Sequence, residues 1–456
     1  MNIRFYNARI LTLANGFEVQ RGEVHVKGSL ISYVGEGSPK EDYGIKKNSH
    51  DSFSSFQCDN HAARHGLYDG YKEDRGSWDR EIDCEDNLLM PGFKNAHTHS
   101  GMTFLRSFAD DMPLLDWLNQ QVFPMEAKLS ADDIYHLSKL AIMEYLTSGI
   151  TANFDMYLTP DTIAQASVDC GFRTVMTSGL NDFTQSVDQI DAWYQKYNRY
   201  HELISFQIGF HAEYTTSREL LEGVADLAGK YHAPVYTHNS ESFSEVKGCI
   251  ERNHMTPTAY LNQFGMFRYG GGGYHCVHMT EEDLGIFQEH GMSVITNPGS
   301  NAKLASGIAP IKRVLEMGIN LAIGTDGPAS NNCLDMFREM FLTTGLAKLR
   351  EQDASVVDAN QVLYAATAGG ARAMGLKDCD TLEEGKLADL ILIDLNQPNM
   401  QPVNNITKNI VYSGSKQNVK LTMVNGKVLY EDGKFNIGVE PREVYEKARQ
   451  ITESKK

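Results

Sequence analysis

Short β-rich runs alternate with longer amphipathic segments between about residues 87 and 326, and this alternation constrains the fold more than any other feature. The runs are NLLMPGF, ITANFD, FRTVMTS, ISFQIGF, APVYTH, GYHCVH, MSVIT and NLAIGTD. The segments between them, such as ADDIYHLSKLAIMEYLTSG, have the apolar spacing of surface helices. Eight β/α alternations predict an α/β protein built on a (β/α)8 TIM barrel, which we assign to residues 90–377.

The chain on both sides of this predicted barrel has the pattern of a small β domain. Residues 1 to about 37 contain the alternating runs IRFYNARILTL, GEVHVKG and LISYVGEG. Strand patterns return in ADLILIDL, NIVYSG and VKLTMVNGKVLYEDGKF, where Asn425-Gly426 is a hairpin turn signal. We therefore predict that residues 1–89 and 378–456 form one β-sandwich followed by a terminal helix. The polar segment at about residues 38–83 is predicted to be an insertion in this domain.

Charge and composition favour a small-molecule substrate. The formal net charge is −17, whereas a nucleic-acid partner requires an excess of lysine and arginine. No apolar run approaches the roughly 18 residues that span a bilayer, and the first residues alternate where a signal peptide has a continuous apolar core. We expect a cytoplasmic protein with neither a nucleic-acid nor a membrane partner. Assembly into a homo-oligomer is also expected, with the number of subunits left open.

Side chains suited to metal binding and acid–base chemistry follow five of the predicted barrel strands. They are His97, His99, His211, His238, His275 and Asp326. In a strand, side chains two residues apart share a face, so His97 and His99 are placed to bind one ion. Any one of these residues alone is more simply a capped polar residue at a strand end. Because the active site of a barrel lies at the carboxyl ends of its strands, their joint placement predicts one site.

Imidazoles and a carboxylate on this rim predict metal chemistry. Three imidazoles with one carboxylate suit Zn²⁺, and Fe²⁺ or Mn²⁺ stay open. Such a metal lowers the pKa of a bound water from about 15.7 towards about 7. Asp326 is suited to be both ligand and base for that water, and His275 to hydrogen-bond the nucleophile and the leaving group. Glu241 follows His238 by three residues and is placed to deliver a proton, although a surface glutamate is the simpler alternative.

Several ordered motifs resemble the amidohydrolase superfamily. They are PGFKNAHTHSGM, HAEYTTS, THNSES, HCVHM, NPGSNAKLASGIAPI, GTDGPASNN and EEGKLADLIL, and they are most similar to the 5-methylthioadenosine/S-adenosylhomocysteine deaminase group, which has chlorohydrolase and other aminohydrolase relatives. The resemblance implies that one catalytic Zn²⁺ per chain is bound by His97, His99, His238 and Asp326. It also implies proton transfer by Glu241 and His275. A bridging lysine, which a binuclear relative needs at the end of the fourth strand, is absent from IGFHAEY.

The resemblance also implies how the substrate is bound. The residues expected to contact it are Glu126, His211, Glu241 and Asp326, and Glu126, in FPMEAKLS, corresponds to a glutamate that holds ribose hydroxyls. Members that accept S-adenosylhomocysteine carry an arginine after the third strand, where this chain has Ser178 in MTSGL. A serine cannot form a bidentate charged pair with a carboxylate. Adenosine or 5-methylthioadenosine is therefore expected to be preferred, unless the missing charge comes from Arg64, Arg75 or Arg80.

These observations predict a zinc-dependent hydrolytic deaminase of an adenine nucleoside that releases ammonia. The main alternative keeps the metal but acts on another amino- or chloro-substituted heteroaromatic ring, such as guanine, a pterin or a triazine. Glu126 discriminates between the two, since a free base has no ribose diol. A catalytically inactive scaffold is a third hypothesis, and the presence of the whole ligand set together with Glu241 and His275 argues against it.

Overall fold

The N-terminal residues form one part of a sheet that lies outside the barrel. The computed structural model describes residues 1–36 and 78–456. The first strands are β1 (Asn2–Leu11), β2 (Val19–Lys27), β3 (Leu30–Gly35), β4 (Arg80–Asp83) and β5 (Leu88–Pro91). Residues 80–83 were predicted to end the insertion, but they pair parallel with β1 and therefore belong to the sheet. The rest of the predicted insertion, from 38 to 77, lies outside the described residues.

Eight parallel strands form the barrel. They are β6 (Phe93–Thr98), β7 (Ile150–Met156), β8 (Arg173–Thr177), β9 (Ile204–Ala212), β10 (Val235–Asn239), β11 (Gly271–His275), β12 (Ser293–Thr296) and β13 (Asn320–Ile323). Each strand pairs with the next along the chain. The segment after β13 returns to β6, where the Asp326 amide donates to the His97 carbonyl at 3.0 Å. The predicted (β/α)8 barrel is confirmed, and its first and last strands nearly close it.

The first barrel strand begins later than the sequence pattern predicted. The run NLLMPGF was assigned to one strand, but its residues 88–91 form β5 of the flanking sheet, and β6 starts at Phe93. Gly92 separates them, and a Cβ there would lie 2.1 Å from the Thr151 side chain, so the chain turns where only glycine fits. Both strands are buried throughout and therefore read as one apolar run. His97 consequently lies within β6, and His99 just after it.

The C-terminal residues complete the flanking sheet. Its remaining strands are β14 (Leu390–Ile393), β15 (Val419–Val424), β16 (Lys427–Glu431) and β17 (Lys434–Phe435). β14 pairs antiparallel with both β5 and β15, so the two ends of the chain form one nine-stranded mixed sheet. The predicted pairing of the flanking segments is confirmed. Asn425 and Gly426 both have positive φ in the turn between β15 and β16, as the sequence signal indicated.

Helices cover the outside of the barrel and extend its rim. They are α1 (Leu114–Trp117), α2 (Phe123–Glu126), α3 (Ala131–Thr147), α4 (Pro160–Cys170), α5 (Val187–Tyr197), α6 (Arg218–Tyr231), α7 (Phe243–Asn253), α8 (Pro257–Asn262), α9 (Glu281–Glu289), α10 (Pro298–Lys303), α11 (Ile311–Glu316), α12 (Met336–Glu351), α13 (Ala359–Ala365), α14 (Ala368–Met374), α15 (Ile406–Tyr412) and α16 (Pro441–Lys455). The run NIVYSG was predicted as a strand, but most of it lies in α15. Within the described ranges, no helix is both long and apolar enough to cross a membrane.

Candidate metal centre and active site

The predicted metal ligands converge at the carboxyl ends of the barrel strands. The Nε2 atoms of His97 and His238 lie 3.2 Å apart, although these residues come from β6 and β10. Asp326, just beyond β13, places Oδ1 3.1 Å from His99 Nε2 and 3.7 Å from His97 Nε2. All four side chains are buried. The structure therefore brings together the whole set that the sequence predicted.

Backbone carbonyls orient two of these imidazoles. His99 Nδ1 donates to the Met156 carbonyl at 2.6 Å, and His238 Nδ1 donates to the His211 carbonyl at 2.7 Å. With the proton held on Nδ1, the Nε2 lone pair of a neutral ring faces the centre. Burial lowers the pKa of His97 and His238 well below the usual value, and neighbouring imidazoles lower it further. These two rings are therefore neutral and available as ligands.

The carboxylate of Asp326 favours a positive charge beside it. Burial alone would lower the pKa of His99, but the contact with Asp326 outweighs it and raises that pKa to about 9. Burial likewise opposes ionisation of Asp326, yet its contact with His99 holds its pKa well below the usual range. The 3.2 Å separation of the His97 and His238 nitrogens also matches the roughly 3.3 Å that a tetrahedral ion with metal–nitrogen distances of about 2.0–2.1 Å imposes. The donor set therefore fits a divalent metal ion.

Asp326 has its orientation set by two hydroxyls. Ser300 Oγ and Ser330 Oγ donate to Oδ2 at 2.6 and 2.8 Å, and the Gly327 amide donates to Oδ1 at 2.7 Å. The backbone of Asp326 is left-handed, with φ +57°, a conformation that costs a non-glycine residue free energy and is common at functional sites. With Oδ2 occupied by the hydroxyls, Oδ1 is the oxygen that faces His99.

Glu241 and His275 lie next to each other beside the ligands. Glu241 Oε2 is 3.7 Å from His275 Nε2, and Glu241 Oε1 accepts a hydrogen bond from Ser306 Oγ at 3.3 Å. His275 Nδ1 donates to Asn301 Oδ1 at 2.7 Å, which leaves its Nε2 directed towards Glu241 and Asp326. Burial raises the pKa of Glu241, and the neighbouring His275 opposes this shift. This pair is suited to proton transfer.

A cavity of about 620 Å³ opens above the centre. Its inner end is polar and includes His99, His238, Glu241, His275 and Asp326. Its outer part includes apolar side chains, among them Trp117, Leu118, Phe123, Leu158 and Phe183. Among the described residues, neither lysine nor arginine lines it. The volume is in the usual range for small-molecule sites.

Glu126 and His211 both line this cavity. Glu126 is buried, and within the described part of the chain its Oε1 has no hydrogen-bond partner. Burial raises the pKa of Glu126 to about 7. The nearby Tyr157 hydroxyl and His99 oppose this shift, although the Tyr157 hydroxyl does not reach hydrogen-bond geometry and is itself buried without a partner among the described residues. An unpartnered buried carboxylate oxygen at a cavity points to a ligand that donates hydrogen bonds. Burial lowers the pKa of His211 to about 4, so its ring is neutral.

Ser178 lies at the predicted position after the third barrel strand but does not line the cavity. It is fully buried, and its Oγ donates to Gln185 Oε1 at 2.7 Å. The same oxygen accepts the Leu180 amide at 2.9 Å, so Ser178 stabilises the loop. Arg80 forms an ion pair with Glu431 in the flanking sheet. Of the three arginines considered as substitutes for the missing charge, Arg64 and Arg75 lie outside the described residues.

Sequence reasoning did not single out the residues that support the ligands and the proton-transfer pair. They are Ser300, Asn301, Ser306, Ser330 and Glu245, the last of which accepts the backbone amides of residues 240 and 241. The signal was present, because Ser300 and Asn301 lie in NPGSNAKLASG and Ser330 lies in GTDGPASNN. These polar residues therefore lie in the same sequence motifs as the ligands and the proton-transfer pair that they orient.

Comparison with known proteins places these features in a wider group. The model of the Amidohydrolase family matches residues 88–429. A 5-methylthioadenosine/S-adenosylhomocysteine deaminase of Thermoanaerobacter pseudethanolicus is 38% identical over 441 residues, which cover 95% of this chain and 94% of that protein. A 5'-deoxyadenosine deaminase of Methanocaldococcus jannaschii is 38% identical over 380 residues, which cover 82% of this chain and 90% of that protein.

A solved structure extends this similarity to three dimensions. The crystal structure of an adenosine deaminase from Xanthomonas campestris, with bound zinc, matches with a TM-score of 0.86 at 30% sequence identity. The match covers 100% of this chain and 98% of that chain. The family model and both relatives match most of the length of this chain. The chain therefore belongs to the amidohydrolase family.

Proposed function

We propose that this protein is a zinc-dependent hydrolytic deaminase of adenine nucleosides that binds one Zn²⁺ per chain through His97, His99, His238 and Asp326. The observation that carries the proposal is the pairing of this donor set with the unpartnered Glu126 oxygen in one cavity. The deaminase names of the relatives support the reaction, and the zinc of the Xanthomonas campestris structure supports the metal. The barrel, predicted as residues 90–377 and beginning with β6 at Phe93, is proposed to carry the chemistry.

The proposed reaction replaces the exocyclic amino group of the purine by oxygen. When bound, the metal lowers the pKa of a water and so supplies a nucleophile at neutral pH. Asp326 would accept a proton from the attacking water, and Glu241 would donate a proton to N1 as the oxygen bonds to C6. His275, whose Nδ1 donates to Asn301 Oδ1, presents Nε2 to the attacking water as a hydrogen-bond acceptor. The proton held by Asp326 would then pass to the amino nitrogen and the remaining hydroxyl proton would return to Glu241, so that cleavage of the bond between C6 and the amino nitrogen releases ammonia and leaves the hypoxanthine nucleoside.

The two ends of the nucleoside are proposed to bind in different ways. Glu126 accepts hydrogen bonds from the ribose hydroxyls, and neutral His211 contacts the purine. Apolar residues of the outer cavity suit a small uncharged 5' substituent, such as the methylthio group of 5-methylthioadenosine or the 5'-methyl group of 5'-deoxyadenosine. The described outer lining offers neither lysine nor arginine for the amino-acid carboxylate of S-adenosylhomocysteine. We therefore propose the smaller nucleosides as preferred substrates.

Another heteroaromatic ring is less well supported as substrate, because a free base leaves Glu126 buried without a hydrogen-bond donor. Homo-oligomer assembly and a cytoplasmic location stay predictions.

An ammonia-release assay with adenosine, 5-methylthioadenosine, guanine and an amino-triazine tests the proposal. We expect turnover of the two nucleosides, with Glu126→Gln raising KM for both. Guanine or triazine turnover that exceeds nucleoside turnover, and that Glu126→Gln leaves unchanged, would replace the proposal by its alternative.

A further inference from the structure

Glu339 of α12 is a fully buried carboxylate behind the metal centre that the proposed chemistry does not use. Its Oε2 accepts the Gly299 amide at 2.8 Å, and its Oε1 accepts Asn331 Nδ2 at 2.9 Å. Gly299 lies in α10, which follows β12, whereas Asn331 lies in the segment after β13. One carboxylate therefore joins the two segments that surround Asp326.

Each of these two partners is next in sequence to a hydroxyl that binds Asp326. Ser300 follows Gly299 and donates to Asp326 Oδ2 at 2.6 Å. Ser330 precedes Asn331 and donates to the same oxygen at 2.8 Å. Asn331 also donates to the carbonyl of Thr325, the residue before Asp326, at 2.6 Å. Both residues that bind the Glu339 carboxylate are therefore sequence neighbours of the two serines whose hydroxyls donate to Oδ2.

The close approach at Gly299 is built into the sequence. A Cβ on this residue would lie 2.5 Å from Glu339 Oε1, a distance that real side chains do not adopt. Glycine allows the backbone amide to come within hydrogen-bond distance of a buried carboxylate. Glu339 is fully buried, and a buried carboxylate is costly unless hydrogen-bond donors such as these compensate for the lost water.

We propose that Glu339 is a positioning residue that sets the metal affinity by holding Ser300 and Ser330 against Asp326. The carboxylate of Asp326 presents Oδ1 to the ligand site only while Oδ2 is engaged by the two hydroxyls. Partners behind a metal ligand contribute to affinity by fixing its orientation. The inference rests on the metal site of the proposed function, and its test separates the two.

The metal dissociation constant, measured by competition with a chromogenic chelator, is the direct readout. Glu339→Gln keeps the shape but presents an NH₂ group where one of two donors needs an acceptor, so one contact is lost. We expect the dissociation constant for Zn²⁺ to rise about 10- to 100-fold. Glu144→Gln is the matched control, because Glu144 accepts the Leu334 amide at 3.1 Å and pairs with Arg106 but has no contact with Asp326. Its metal affinity is expected to equal that of the unmodified protein.

The double variant Ser300→Ala/Ser330→Ala removes the hydroxyls and leaves the partners of Glu339 in place. It should show the same loss of metal affinity, and adding Glu339→Gln to it should change the dissociation constant by less than about twofold, since residues that act through one another are not additive. If Glu339→Gln does not fold, as judged by circular dichroism, Asn331→Ala, which removes the contact of Asn331 with Glu339 Oε1, takes its place in both comparisons with the same expected results. Unchanged affinity in the double variant, or a full further loss on adding Glu339→Gln, would overturn the inference. Unmodified protein that binds no metal would refute the proposed function instead.

Discussion

The inner and outer ends of the same cavity are built on opposite principles. At the inner end, the buried side chains proposed to bind the metal, such as His99, His238 and Asp326, each have a hydrogen-bond partner that determines their orientation. At the outer end, apolar side chains lie on loops and short helices, and Phe183 is 88% exposed. Rigid, polar surroundings suit a reaction that tolerates little displacement of its groups, whereas loops allow specificity to change independently. The difference indicates that chemistry and substrate choice are separable in this protein.

Removal of the metal is the strongest test of the inner end. Dialysis against a chelator should abolish deaminase activity, because the donor set then lacks the ion that supplies the nucleophile. Metal analysis of the purified protein should give about one divalent ion per chain, and added Zn²⁺ should restore activity. Full activity without metal, or two ions in the barrel, would contradict the mononuclear site.

Glu241→Gln should separate chemistry from metal binding. The amide keeps the shape of Glu241 but cannot donate the proton to N1, so kcat should fall by roughly 10²-fold or more. Metal content should stay at the value of the unmodified protein, because Glu241 is not one of the proposed ligands. Metal analysis and steady-state kinetics of the same preparation check both expectations. An unchanged kcat would assign the proton donor to another residue.

The two ends also differ in how far the sequence predicts them. The placement of His97, His99, His238 and Asp326 on one rim follows from strand periodicity and barrel geometry, because the strand ends of a barrel meet there. Their selection as ligands among the candidate residues of that rim is what the resemblance to the amidohydrolase superfamily implied. The residues that hydrogen-bond these ligands were not predicted, because the hydroxyl of a residue such as Ser300 has no sequence signature apart from its neighbours. The strand β5 was missed for a physical reason as well, because two buried strands in succession have no alternation to divide them.

The outer end depends on contacts that sequence spacing does not encode. Ser178 was correctly recognised as a residue that cannot pair with a carboxylate, but its role in binding Gln185 and the Leu180 amide required coordinates. Trp117 is both 95% buried and part of the cavity lining, a combination that its position in the sequence does not reveal. The conformation of a loop determines which of its side chains line the cavity, and loops carry the weakest sequence signals.

Substrate preference tests the outer end. S-adenosylhomocysteine lacks a cationic partner in the described lining, and a charge-assisted hydrogen bond contributes about 1.5–3 kcal/mol, so its kcat/KM should be roughly 10- to 100-fold below that of 5-methylthioadenosine. Thr184, an exposed lining residue, offers a way to reverse this. Thr184→Arg should narrow the gap, whereas Thr184→Gln, of similar length without charge, should not. A preference of the unmodified protein for S-adenosylhomocysteine would contradict this prediction and would mean that a cationic side chain outside the described lining binds the carboxylate.

The smallest expected effect is the pH dependence of ribose binding. Burial raises the pKa of Glu126 to about 7, so this carboxyl is ionised above pH 7 and protonated below it. Only the ionised form offers two acceptor oxygens to the ribose diol. For a ribonucleoside, kcat/KM should therefore fall as the pH drops below 7, by about tenfold per unit at most.

A substrate without the diol isolates this contribution, because all other titrating groups affect both substrates alike. The ratio of kcat/KM for adenosine to that for 2',3'-dideoxyadenosine should rise with pH and level off above about pH 7, near the pKa of Glu126. In Glu126→Gln the ratio should be low and independent of pH, since an amide does not ionise in this range. A ratio that stays constant in the unmodified protein would show that Glu126 does not bind the diol as a carboxylate, and the ribose contact would then have to be sought among the other residues that line the cavity.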